Sequence, residues 1–257
     1  MTIETLENRS RGQDLEALRR QMRALEQGAV ERSRRAVPLG ARALDERLPG
    51  GGLSAAGLHE ILPARSEWDD GAALGFALAL LGRLATRREG EILWATRQAD
   101  LYAPALAGFG IAAERLLLVR TGGDTESLWA LEEGLRCPEL AAVVGEVGEL
   151  DPTAARRLQL AAETIQRPCL LLQRHRKAPR RSTAASPALT RWRVAAGASD
   201  RSLSKSLVGN PAWRVELLRC RGGQPAAFEV EWDHATGDFA MAAELCDSAP
   251  AAFERTA

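Results

Sequence analysis

Lysine is nearly missing from this chain. Of 34 basic residues only Lys177 and Lys205 are lysines, and neither follows a glycine. That excludes a glycine–lysine–serine/threonine phosphate loop, whose lysine carries charge to the β- and γ-phosphates. The four cysteines, Cys137, Cys169, Cys220 and Cys246, form no Cys-x-x-Cys pair and have no histidine nearby. They read as free thiols rather than zinc ligands. His59, His175 and His234 stand far apart, so no metal site and no cofactor is expected. No excess of charge exists either, because 34 Lys and Arg balance 34 Asp and Glu. A globally basic surface is thereby excluded, and any nucleic-acid contact must be local. Long apolar runs are also lacking. The longest, Ala72 to Leu81, contains Gly75 and falls far short of the roughly 20 residues that cross a bilayer. Residues 1–11 have no apolar core of signal-peptide length, so a cytoplasmic protein without membrane contact is expected.

What is present is a regular alternation. Residues Asp14 to Arg35 read as a helix, with Leu15, Leu18, Met22 and Leu25 on one face at three- and four-residue spacing. That face either packs on its own domain or docks on a partner protein. A short helix from Ala41 to Arg47 and the turn Pro49-Gly50-Gly51-Gly52 follow. Strands are predicted at Leu58–Leu62, Glu91–Ala95, Leu116–Arg120, Ala141–Val147 and Cys169–Gln173. Helices are predicted between them at Asp70–Arg87, Asp100–Phe109, Asp124–Arg136 with Asp124 as cap, and from Asp151-Pro152 to about Gln166. Apolar strands alternating with helices call for an α/β fold whose mostly parallel sheet is covered on both faces. Beyond Arg174 the pattern changes to strands at Arg191–Ala196, Trp213–Arg219 and Ala227–Trp232, the last two forming a hairpin across residues 221–225. The sheet should therefore end in antiparallel strands, while the segment after Asp233 carries little signal. Three parts result: an N-terminal helical arm (1–36), a core (37–233) and a C-terminal tail (234–257).

Within residues 37–232 an ordered series resembles the RecA-fold core, and inside that superfamily it is most similar to the ImuA family. The series runs Val37-Pro38-Leu39-Gly40, Leu44-Asp45, Leu48-Pro49-Gly50-Gly51-Gly52-Leu53, then Gly57-Leu58-His59-Glu60-Ile61-Leu62. It continues with Asp100-Leu101-Tyr102-Ala103, Phe109-Gly110-Ile111 and Leu170-Leu171-Leu172-Gln173. The resemblance places Pro63 to Ala72 where a phosphate loop would be, yet that segment has one glycine and no lysine. Asp69 and Asp70 fall at the helix N-terminus and are expected to cap the N–H groups that a triphosphate would need. At the position of the family's magnesium-organising Asp stands Gly145, and alternation along the strand is expected to turn Glu146 to the other face. The segment Trp94-Ala95-Thr96-Arg97-Gln98 supplies no water-activating acid.

The run from Arg174 to Arg181 carries Arg174, Arg176, Lys177, Arg180 and Arg181, where RecA proteins place a loop that contacts single-stranded DNA. A mobile set of cations suits sequence-independent phosphate contacts, although docking of an acidic protein and plain solvation remain open. The resemblance implies a protein that is not an enzyme: an accessory factor of SOS-induced, error-prone translesion synthesis. Its implied partners are an ImuB-like Y-family protein and a DnaE-type error-prone polymerase. RecA and single-stranded DNA are further candidates, self-association is open, and association with the nucleoid would follow when engaged. The alternatives are a SulA-like inhibitor that binds the division GTPase, and an active RecA-type ATPase, which the missing lysine and acids oppose.

Overall fold

Strands that are apolar on both faces need helices above and below them, and the chain supplies both layers. The computed structural model describes residues 36–65, 68–98, 100–148, 150–174, 186–198 and 209–244. Its strands are β1 (Ala36–Val37), β2 (Leu53–Ser54), β3 (Gly57–Pro63), β4 (Glu91–Thr96), β5 (Leu116–Arg120) and β6 (Leu140–Val147). They continue with β7 (Pro168–Gln173), β8 (Thr190–Ala196), β9 (Ala212–Cys220), β10 (Ala226–Asp233) and β11 (Asp238–Glu244). The helices are α1 (Arg42–Asp45), α2 (Asp70–Ala85), α3 (Asp124–Arg136) and α4 (Pro152–Ile165). Around Pro104 the chain forms a 3-10 helix, Ala103–Phe109, where an α-helix from Asp100 was expected. The helical arm expected at Asp14–Arg35 lies outside the described residues.

Nine strands make one sheet in the order β11-β10-β9-β8-β3-β7-β6-β4-β5. Neighbours from β8 to β5 run parallel, and β8 through β11 pair antiparallel. β1 and β2 form a separate two-stranded ladder. On one face α2 buries Phe76, Leu80, Leu81 and Leu84 against Ile61, Val144, Leu170 and Leu172. On the other, α3 and α4 bury Leu131, Leu135 and Leu158 against Leu58, Val143, Cys169 and Leu171. The alternation of residues 142–144 and 169–172 between the two clusters is the period of two that a strand imposes.

Helix α4 starts as expected: the Asp151 carboxylate accepts from the N–H groups of Thr153 and Ala154, both at 3.0 Å, ahead of Pro152. Helix α3 does not. Gly123 occupies its N-cap without a side-chain bond, and Asp124 lies inside the first turn. The Asp124 carboxylate instead accepts from Gly148 N–H at 3.1 Å and so ties α3 to the exit of β6.

The segment after Asp233 contributes β11, which pairs with β10 and sends Phe239 into the α2-side core. There Phe76 lies 5.5 Å from Trp192, 5.8 Å from Trp213 and 5.6 Å from Phe239, centroid to centroid. Alternation in β11 is weak, because small alanines surround Phe239 and Met241, and that hid the strand in the sequence. The opposite face of these antiparallel strands carries cross-strand ion pairs, Arg193 with Glu216 and Arg214 with Glu229.

His59 of β3 is fully buried. Its Nε2–H donates to the Ser54 carbonyl at 3.0 Å, and its Nδ1 accepts from the Thr190 hydroxyl at 2.8 Å, which itself accepts from Trp192 Nε1–H. Burial pushes the imidazole down to about 4 from 6.5. The unfolded chain therefore binds this proton first, and stability present above pH 6.5 drains away as pH falls toward 4. Between pH 7 and 5.5, above the carboxylate range, the unfolding free energy should fall by about 1 kcal/mol. Urea denaturation should show that slope in the wild-type chain and not in His59→Gln.

Candidate functional site

In an open α/β sheet the crevice at the C-terminal ends of parallel strands is the usual ligand site. Here the connections leaving β3, β4, β6 and β7 meet at one guanidinium. Arg174, the first residue after β7, gives its N–H to the β6 carbonyl of Val147 at 2.9 Å and turns its side chain inward. Nη1 and Nη2 donate to the two Asp100 oxygens at 3.2 and 3.0 Å, and Nη1 also donates to Glu146 at 2.9 Å. Nε lies 3.8 Å from Asp70 at the start of α2. Glu146 completes its bonding by accepting from Trp94 Nε1–H at 2.8 Å. The side chains of Arg174 and Glu146 are 20% and 7% exposed, so the ion pair is held largely away from water. Burial opposes the charged guanidinium, but bonds from Asp100 and Glu146 outweigh it and hold its pKa above the ordinary arginine value. Arginine suits this place because its planar fork can bridge several carboxylates at once and stays charged.

Two expectations from the sequence need correction here. Asp69 does not cap α2. Its buried carboxylate accepts from the Arg65 N–H and Nε, at 3.0 and 2.9 Å, and from Ala196 N–H at 3.1 Å. Burial alone would raise its pKa, yet these bonds hold it below the usual carboxylate range. The segment after β3 thus closes on itself and on the end of β8. The second correction concerns β6. Alternation does turn Gly145 and Glu146 to opposite faces, but it is Glu146 that faces α2 and the strand-end crevice. Gly145 faces α3, where a Cβ would come within 2.5 Å of Leu131 Cδ1. The strand therefore does deliver an acid to the crevice, and a guanidinium has taken it.

A magnesium nucleotide does not match this residue set. The segment from Pro63 to Asp70 has no glycine cradle, and a polyphosphate would meet Asp70, Asp100 and Glu146 around a single cation. Of the five cations singled out in the sequence, Arg174 is the one within the described residues, and it is committed to this cluster. Arg176, Lys177, Arg180 and Arg181 lie outside them, as do Leu15, Leu18, Met22 and Leu25. On its far side the segment 175–185 is followed by Ser186, whose hydroxyl donates to the buried Glu60 at 2.5 Å. The sequence missed Asp100 and Trp94 as members of the site. The one available signal was an arginine directly after an apolar strand, with acids at the ends of neighbouring strands.

Comparison with known proteins decides the family. Two proteins named Protein ImuA, from Caulobacter vibrioides strains NA1000 / CB15N and ATCC 19089 / CIP 103742 / CB 15, are each 38% identical over 227 residues. Each match covers 85% of this chain and 93% of the relative. The chain belongs to the ImuA family. A scan against protein-family models finds no match. The crystal structure of the RadB recombinase superposes with a TM-score of 0.54 at 12% identity, over 80% of this chain and 100% of that one. This ImuA-family chain therefore has a RecA-like α/β core, as its strand order and parallel sheet also say. Among the described residues no helix is long and apolar enough to cross a membrane.

Removing the guanidinium should leave Glu146 as an uncompensated, nearly buried charge. Arg174→Met is expected to lower the unfolding free energy by about 2–3 kcal/mol, below a fully buried pair because Asp100 stays 43% exposed. Adding Glu146→Gln, which keeps the acceptor for Trp94, should recover at least half of that loss in urea denaturation.

Proposed function

We propose that this ImuA-family protein is a non-catalytic, RecA-like accessory factor of SOS-induced, error-prone translesion DNA synthesis. It works by binding other proteins, an ImuB-type Y-family protein and a DnaE-type polymerase, and not by turning over ATP. One observation carries the reading: the place where the fold would seat a nucleotide is occupied by Arg174 with Asp70, Asp100 and Glu146. Such a cluster keeps an excess of carboxylates around its one cation, which opposes a polyphosphate in the same place. The names of the Caulobacter relatives support the family role, and a RecA-like core supports the setting of DNA metabolism. Calorimetry with magnesium and ATP at micromolar to millimolar concentration should show no binding heat.

Single-stranded DNA is the further ligand in this reading, and RecA a further protein partner. With Arg174 committed internally, the phosphate contacts fall to Arg176, Lys177, Arg180 and Arg181. Fluorescence anisotropy with a labelled single strand tests it. Changing those four residues to Glu should weaken binding at least tenfold and flatten the log–log salt dependence by about 3. Equal binding by both forms would discard the DNA contact and leave the protein-partner role standing.

A further inference from the structure

The sheet ends on β5, and its outer edge has no partner strand among the described residues. β5 pairs with β4 alone, in an unbroken parallel register from Ile92–Leu116 to Thr96–Arg120. Backbone N–H and C=O groups point alternately toward β4 and away from it; the Thr121 N–H bonds to the Thr96 carbonyl, so those of Leu116, Leu118 and Arg120 face outward, ready to pair with another chain. Monomeric proteins shield such an edge with lysine, proline or a bulge. This one reads Leu-Leu-Leu-Val-Arg and has none of them. Both of its faces are open as well. Leu117, beside Leu93 on the α3 side, is 41% exposed, and Leu118, beside Trp94 on the α2 side, is 45% exposed. The two ends differ in charge. At the N-terminal end Arg115 is committed to the carbonyls of Gly90 and Arg88, both at 2.8 Å. At the C-terminal end Arg120 is exposed, and Arg97, adjoining its register partner Thr96, is 54% exposed with Asp124 no nearer than 3.9 Å.

We propose that this edge accepts an extended segment of a partner polypeptide as an additional strand. That segment would carry apolar side chains on alternate faces, over Leu117 and Leu118, and a carboxylate at the end beside Arg97 and Arg120. Main-chain bonds would supply affinity, while the two leucines and the cationic end would supply register. A five-residue edge of about 17 Å matches the length of one short strand, and the cationic end selects a segment that carries a carboxylate there. The inference rests on the reading that this protein acts through protein partners, and it names the surface they would use.

Hydrogen exchange on the full chain, with and without purified ImuB-type protein, tests it. In the complex the outward amides of Leu116, Leu118 and Arg120 should exchange at least tenfold more slowly. The exposed double variant Leu117→Asp/Leu118→Asp should bind about tenfold more weakly, and Arg120→Glu severalfold more weakly while leaving the strand's apolar face intact. A complex that forms without protection of 116–120 and tolerates both variants overturns the edge assignment but leaves the accessory role. Absence of a complex with both the ImuB-type protein and the DnaE-type polymerase overturns the two together. Protection that rises with the concentration of this chain alone, alongside a dimer in sedimentation, gives the edge to a second copy and overturns the partner assignment.

Discussion

A half-buried guanidinium among three carboxylates ties together four segments, three of which carry like charge and would otherwise repel one another. Asp70 begins the helix after β3, Asp100 follows β4, Glu146 is the penultimate residue of β6, and Arg174 follows β7. Without the cation, like charges at the rim of the sheet would push these segments apart. With it, part of the negative charge in the crevice is offset by the chain's own residue. Arg174 directly follows β7, so the chain leaves that strand from a fixed point. Arg65 and Asp69 close the adjoining loop in the same manner and lash it to the end of β8.

Much of this architecture could be read from pattern. Leu116–Arg120 and Asp124–Arg136 have the boundaries in the structure that apolar runs and turn signals assign them. Asp151-Pro152 marked the start of α4 because an acidic cap and a first-turn proline act through local geometry alone. Elements that depend on distant partners were the ones missed. β11 has little alternation and exists because Phe239 fills a gap beside Phe76 and Trp232. The two-residue strands β1 and β2 are too short for any periodicity to show. At the site, the missing lysine was plain in the sequence. The direction of Glu146 was not, because alternation says which residues oppose each other and not which face carries α2. Asp69 misled for a related reason: position favoured a cap, but Arg65 and the Ala196 N–H competed for its oxygens and won.

The core of this ImuA-family chain is held together by packing within the chain itself. Its stability comes from two apolar layers and an aromatic cluster around Phe76, none of which needs a ligand. Its surface presents a sheet edge with open leucines at β5.

The central claim is that Arg174 stands in the place of a nucleotide's cation, and a high-resolution crystal structure grown with magnesium and a non-hydrolysable ATP analogue measures that directly. The expected result is Arg174 within ion-pair distance of Asp100 and Glu146, with no nucleotide between Pro63 and Ala72. An analogue and magnesium seated in that segment, with the Arg174 side chain displaced, would contradict the account.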